Sequence, residues 1–361
     1  MKNKFETGNY YPGIDGLRGL AVILVLIYHN SLYLEITWYG QFGVDLFFVI
    51  SGFLITEILL KSINSAKYFT NFYGRRLMRI FPIYYLCLAI IFFILPDQLL
   101  LDASLKTSKA DQWWFWTYLQ NWFFATQGIP IGTAPITHFW TLAVEEQFYL
   151  LWPPVIFLIR NLKKLLVVCI ATLITINIIR FLTWLYFMEN IDQLPFTFTR
   201  CDGILAGSAL AVLKQTGQLQ KSILLKITSI ILIFLNGIYL LMGPVFDLWP
   251  NYLNIAGFTS ISIFFTWVLY LTISNPRSIL QKTLLISPLK FFGKYSYGIY
   301  VFHFPVMFLL HPITEKWLWP LFGSRIPETL LLICIEVIIA VIVYHLYEKH
   351  FLKLKKFFSY A

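Results

Sequence analysis

The chain has 361 residues, of which 58% are apolar and 13% charged, and its mean hydropathy is +0.69. A soluble domain carries roughly 25% charge, so a water-soluble or disordered protein is excluded. The net charge of +10 does not indicate nucleic-acid binding, because the basic residues sit between apolar stretches and form no continuous basic face.

About 20 apolar residues are needed to cross a bilayer as a helix. Stretches of this kind run near 16–35, 42–60, 80–96, 139–159, 165–187, 197–213, 223–242, 252–273, 292–311 and 328–348. The first contains Arg18 and His29 and lacks an Ala-x-Ala-type cleavage site, so it is read as a retained helix and not a signal peptide. Cys87, Cys169, Cys201 and Cys334 all fall in apolar stretches without metal-ligand spacing, and no metal site is expected. Segment 112–126, QWWFWTYLQNWFFAT, is short and rich in Trp, which favours the headgroup level. It is expected to be interfacial or re-entrant.

Charge asymmetry supports this count. With ten spans and both termini cytoplasmic, the inner segments hold 22 of the 28 Lys and Arg residues, and the outer loops hold only Lys106, Lys109, Lys316 and Arg325. An extra crossing at 112–126 would invert everything downstream, against the positive-inside tendency. The expected fold is therefore an all-α integral membrane protein with about ten transmembrane helices, both termini cytoplasmic, and one short interfacial or re-entrant helix. No loop is long enough for a separate domain, so residues 1–361 are read as one membrane-embedded domain.

The first helix, in YYPGIDGLRGLAVILVLIYHN, carries Arg18 and His29 eleven positions apart. Eleven helical steps return to within about 20° of the start and rise roughly 16 Å, so both side chains share one face. Arg18 sits near the inner surface, where snorkelling is the simple alternative. His29 lies well across the bilayer, and an ionisable group there normally faces a protein cavity.

In this motif and several others the chain resembles the acyltransferase-3 family of bacterial membrane O-acyltransferases. The Arg-x10-His pairing is joined by GVDLFFVISGFLIT (43–56), RRLMRIFPIYYL (75–86), FWTLAVEEQFYLLWP (139–153), RCDGILAGSAL (200–210), GKYSYGIYVFHFPV (293–306) and VYHLYEKHF (343–351), in order along nearly the whole chain. Members often add a C-terminal esterase-like domain, and this sequence is expected to lack one. The resemblance implies O-acyl transfer, most simply of acetyl, from cytoplasmic acetyl-CoA or another acyl-CoA. The implied acceptor is a hydroxyl of a glycan or lipid-linked glycan, such as lipopolysaccharide O-antigen or exopolysaccharide. The implied location is the bacterial inner membrane.

Acyl transfer to a hydroxyl needs a base, donors for the tetrahedral oxyanion, and a positioned thioester. His29 is the candidate base, with Arg18 beside it in the catalytic set. His138, Thr141, Glu145 and Tyr149 form one helical stripe. Glu145 is expected to orient an imidazole or substrate hydroxyl, with an ion pair to Arg180 or Arg200 as the structural alternative. His303 shares a face with Ser296 and Tyr300 and is a candidate, with Ser296, for substrate binding. Asp45, Arg180, Arg200 and Asp202 fall in the outer halves of their spans. Each would cost about 2.5–3.5 kcal/mol at the bilayer centre. They are expected to line a hydrated outer pocket that binds the acceptor, or to brace the bundle as a charge network. Gly203 and Gly207 read as packing residues. Arg75, Arg76 and Arg79, with Arg18, are the candidate ligands for the coenzyme A phosphates, since guanidinium groups bind phosphate bidentately. A transporter or flippase is the rival reading, because intramembrane charges also mark transport paths.

Overall fold

In a bilayer every backbone N–H and C=O must be paired internally, which a helix does within one segment. The computed structural model describes residues 10–31, 35–94, 111–127, 135–186, 195–217, 230–231, 257–275 and 277–359, and among them contains helices and no strand. Helix α1 (Pro12–Asn30) starts with a proline in its first turn, where the missing N–H has no partner to lose. A 3-10 segment (Glu35–Phe42) leads into α2 (Gly43–Ser62), and α3 (Tyr68–Ala89) continues through a π turn at Ile90–Ile94. Two short helices follow, α4 (Trp113–Trp116) and α5 (Gln120–Gln127), then α6 (Trp140–Ile159) and α7 (Leu162–Tyr186). Next come α8 (Thr197–Arg200), α9 (Asp202–Gln215), α10 (Phe258–Ser274) and α11 (Ile279–Leu284). The series ends with α12 (Ser287–Phe322), α13 (Ile326–Val343), a π turn at Tyr344–Glu348, and α14 (Lys349–Leu354).

Seven of the described segments are long and apolar enough to cross a membrane: Pro12–Asn30, Tyr39–Ser62, Tyr68–Ile94, Thr137–Ile159, Leu162–Tyr186, Ser287–Phe322 and Ile326–Phe357. They coincide with seven of the ten expected spans, and the protein is a multi-pass membrane protein. The other three expected spans are described only in part or are broken. The stretch 197–213 is broken at Cys201 into α8 and α9, and the 14 residues of α9 reach about 21 Å. Helix α10, of 17 residues, falls on the span expected at 252–273, whose first five residues lie outside the described ones. The span expected at 223–242 lies outside the described residues apart from Ile230 and Ile231.

Two further features bear on the expected elements. The third helix begins at Tyr68, so Arg75, Arg76 and Arg79 lie within it and not ahead of it. Their side chains face the bundle interior, which a hydropathy average cannot distinguish from a loop. The Trp-rich segment is two helices of four and eight residues with Tyr118 in the left-handed region between them (φ 55°), too short to span.

Glycines set the closest helix contacts. At the α2–α9 crossing, a Cβ on Gly52 would lie 1.8 Å from Ile204 O and one on Gly207 2.0 Å from Val49 O. Helices α1 and α12 run side by side in the same sense, with Gly19 against Leu289 O and His29 further along against His303. A side chain at either glycine crossing would push the backbones apart and misplace what they carry.

Candidate active site

Helices α1, α2, α3, α6 and α12 enclose a cavity of about 360 Å³. Its wall carries four arginines, Arg18, Arg75, Arg76 and Arg79, together with Ser51, Glu145, Tyr149, Ser296 and Tyr300. Arg75 donates to Phe358 O at 3.3 Å. Arg18, Arg76 and Arg79 make no hydrogen bond or ion pair with a described residue, although Arg76 lies over the Tyr149 ring at 5.2 Å. The acids on the wall neutralise them only in part: Arg18 has Asp15 and Glu145 as its anionic neighbours. Glu57 is held by Lys214 at 2.6 Å and Lys61 at 3.1 Å, and Asp15 accepts from Tyr10 at 2.8 Å. Glu145 has Arg76 and Arg18 as its cationic neighbours and lies beside the Ser51 and Tyr149 hydroxyls, which share a hydrogen bond. Around the chamber Arg18, Arg75, Arg76, Arg79 and Lys355 outnumber the acids beside them, Asp15, Glu145 and Glu348, which leaves an excess of positive charge. Such an excess favours the entry of an anion.

A second cavity, of about 140 Å³, adjoins the first. His29, His138, Asp45 and Arg200 line it, and Val44, Thr141 and Tyr300 line both cavities. These three residues form the partition. Thr141 Oγ1 and the Tyr300 hydroxyl are 2.5 Å apart, and each is placed to donate to His138 O, at 3.0 and 3.1 Å.

Two of the imidazoles that line the second cavity, His29 and His138, pack against a third, His303, behind it. The His29 and His303 ring centroids are 5.0 Å apart, and those of His138 and His303 4.9 Å. His138 Nε2 donates to Tyr300 O at 3.0 Å and His303 Nδ1 donates to the same oxygen at 2.7 Å. His303 Nε2 lies 3.1 Å from His29 Nδ1. Pro305, one turn on, supplies no N–H to Val301 O, and Cys87 Sγ takes that site at 3.9 Å. The turn that Pro305 loosens thus presents its carbonyls to side chains. Among the described residues no three His, Cys, Asp or Glu side chains are placed to hold a metal ion.

The structure sorts the expected site residues into groups. Arg18, Arg75, Arg76, Arg79, Glu145 and Ser296 share the larger cavity, with the Ser296 hydroxyl donating to Gly293 O at 3.0 Å. Glu145 does not reach an imidazole, and it pairs with neither Arg180 nor Arg200. Those arginines hold other acids: Arg200 pairs with Asp45 at 3.0 Å and Arg180 with Asp202 at 2.9 Å, all four nearly sealed from solvent. The Asp45–Arg200 pair still borders the His29 cavity. Arg180 and Asp202 line neither cavity, and they are tied further to Thr199 O and Thr259 Oγ1. Their place as acceptor ligands gives way to bracing α7 against α9. His303 also lines neither cavity, and both of its nitrogens are engaged within the protein, so it has no free group for substrate. The residues that sequence reasoning passed over are His138, Thr141 and Tyr300. The first two lay on the identified α6 stripe, and His138 is as costly in an apolar setting as His29.

The fold and cavities define a helical membrane protein with a cationic chamber on one side of a hydroxyl-bearing wall and a histidine on the other. The chain belongs to the family described as Acyltransferase domain, which it matches over residues 11–345. It is 32% identical over 330 residues to the peptidoglycan O-acetyltransferase OatA of Listeria monocytogenes, covering 85% of this chain and 51% of that protein. It is 33% identical over 328 residues to the O-acetyltransferase OatA of Staphylococcus aureus, covering 84% of this chain and 52% of that protein. The chain thus spans about half the length of the curated relatives it matches. No solved structure matches it significantly.

Proposed function

We propose that this protein is a membrane O-acetyltransferase of the bacterial inner membrane. It takes acetyl from acetyl-CoA at the cationic chamber and passes it to a hydroxyl of a surface glycan at the His29 cavity. The observation that carries the reading is the adjacency of the two cavities: a cluster of four guanidinium groups on one side, an imidazole on the other, and Val44, Thr141 and Tyr300 lining both. Coenzyme A is a polyanion with a long uncharged arm. Its phosphates suit Arg18, Arg75, Arg76 and Arg79, and the roughly 16 Å of helix rise between Arg18 and His29 is comparable with that arm's reach.

In the reaction, His29 Nε2 takes the proton of the acceptor hydroxyl as its oxygen bonds to the thioester carbonyl carbon. The Thr141 and Tyr300 hydroxyls at the wall are the two groups from which the donor for the oxygen that becomes negative is drawn. The carbon–sulfur bond then breaks, and His29 returns the proton to the departing thiolate. The names of the relatives favour peptidoglycan as the acceptor and lend no support to the O-antigen or exopolysaccharide expected from sequence.

The test is transfer of radiolabelled acetyl-CoA to the separated peptidoglycan, lipopolysaccharide and exopolysaccharide fractions of cells with and without the protein, beside a folded His29→Ala variant. Label should enter one fraction with the wild-type chain and fall by about 100-fold or more with the variant. No donor turnover with any fraction would return the reading to transport, and full activity of His29→Ala would remove the base.

A further inference from the structure

We propose that His303 is a positioning residue that fixes the tautomer of His29, making His29 Nε2 the basic nitrogen that faces the second cavity. This rests on the reading of His29 as the base.

Hydrogen-bond chemistry leaves one assignment. Val25 O and Tyr300 O are carbonyl oxygens and only accept. His303 Nδ1 lies 2.7 Å from Tyr300 O and therefore carries a proton. In the neutral ring its Nε2 is then a bare acceptor. That lone pair faces His29 Nδ1 at 3.1 Å, while Val25 O lies 3.2 Å from the same nitrogen. A proton on His29 Nδ1 satisfies both contacts. A bare Nδ1 would oppose a lone pair to two others. His29 is therefore the Nδ1–H tautomer, and its lone pair is on Nε2.

The surroundings hold this arrangement. His303 is fully buried, so water does not compete for its nitrogens. Its anchor, Tyr300 O, is fixed from a second side by His138 Nε2 at 3.0 Å, which makes the carbonyl a shared acceptor for two imidazoles. Were the His303 ring to turn its protonated nitrogen toward His29, Nδ1 of His29 would have to accept. Nε2 would then carry the proton and could not act as base.

The consequence for the reaction is direct. When His29 Nε2 takes the hydroxyl proton, the ring becomes an imidazolium. Its Nδ1–H bond to His303 becomes charge-assisted and strengthens in the step where the hydroxyl oxygen attacks the thioester carbon. The proton leaves again with the thiolate as the carbon–sulfur bond breaks. The orienting role resembles that of the acid in a serine hydrolase triad, but a neutral imidazole performs it. A second carboxylate at this depth would require its own counter-charge.

Three variants of the full chain in nanodiscs separate this role from simple packing. In His303→Gln the side-chain amide oxygen reaches the position of Nε2 and can accept from His29. In His303→Asn the shorter amide replaces only the bond to Tyr300 O, and His303→Ala replaces neither. Transfer from labelled acetyl-CoA to the glycan fraction should keep kcat within about tenfold for Gln and lose about 100-fold or more for Asn and Ala, with the donor KM unchanged. Nitrogen-15 histidine spectra of the wild type, with the His29 signals identified by their loss in His29→Gln, should show Nδ1 protonated and Nε2 bare. Thermal unfolding of each variant checks that it is folded.

An Nε2–H tautomer for His29, or equal kcat for the Gln and Asn variants, whether high or low, would overturn the proposal. Equal kcat for folded His29→Ala and wild type would instead overturn the base assignment on which it rests, and the spectra would still report the tautomer.

Discussion

Arg79→Gln separates an arginine that holds the protein together from one that awaits a ligand. Arg79 makes no hydrogen bond or ion pair with a described residue, and the charges acting on it are those of Arg76, Arg18 and Lys355, which repel it, and Glu348, which attracts it. Removing it breaks no hydrogen-bonded pair, and the repulsion relieved from Arg76, Arg18 and Lys355 offsets the lost attraction to Glu348, so the ligand-free variant should unfold near the wild-type temperature. Binding should respond differently. A guanidinium–phosphate hydrogen bond contributes about 1.5–3 kcal/mol, which is about 10- to 150-fold in Kd. With coenzyme A at 100 times the wild-type Kd, ligand binding stabilises the wild type by about 2.7 kcal/mol. A 30-fold weaker Kd reduces this to about 0.9 kcal/mol. The assay is thermal unfolding of the purified protein with and without coenzyme A, backed by direct titration at two salt concentrations. If the ligand-free variant loses several degrees while protection by coenzyme A is unchanged, Arg79 is a structural residue and the anion chamber has been misread.

Asp202→Asn should do the reverse. It leaves Arg180 buried without its partner at a cost of about 3–5 kcal/mol, seen as a lower unfolding temperature with coenzyme A affinity unchanged. Gly207→Val should loosen the α2–α9 crossing, because even its Cβ would lie 2.0 Å from Val49 O. A loss of about 1–3 kcal/mol or more is expected, read as a lower yield of monodisperse protein and a lower unfolding temperature.

Much of this architecture was legible because bilayer length and positive-inside bias act on averages over many residues. Seven spans follow from such averages alone. They fail where polar side chains turn inward: the RRLMR turn of α3 looks like a juncture because hydropathy counts arginine without regard to direction. They fail again at Cys201, where the break between α8 and α9 has no glycine or proline to announce it. At the site, the periodicity of one helix put Arg18 and His29 on one face, and the 100° step between Glu145 and Glu146 separated their roles. Only Glu145 lines the chamber, whereas Glu146 keeps a buried oxygen without a hydrogen bond. Pairing between helices was not legible. Nothing within α1 or α12 alone says that His29 meets His303, or that Arg200 chooses Asp45 and Arg180 chooses Asp202. Those choices depend on where glycines let helices approach.

The wall between the cavities is where the chemistry must occur, since Arg18, Arg75, Arg76 and Arg79 border only one cavity and His29 only the other. Thr141→Val and Tyr300→Phe test it at almost constant shape. The two hydroxyls have one carbonyl, His138 O, within reach of both, so either can lose its partner and still donate there. Neither variant strands a buried donor, and each should cost less than about 1.5 kcal/mol of stability. Catalysis has no such substitute. A hydroxyl that turns toward the thioester oxygen as it becomes negative acts as an oxyanion donor, and losing one costs about 100- to 1000-fold in kcat. One of the two variants should show that loss at saturating acetyl-CoA with the Kd for coenzyme A unchanged, and the other should show much less, which identifies the donor. Wild-type kcat in both would mean that the wall only packs, and that the tetrahedral oxygen is stabilised elsewhere in the second cavity, where Arg200 is the cation at hand.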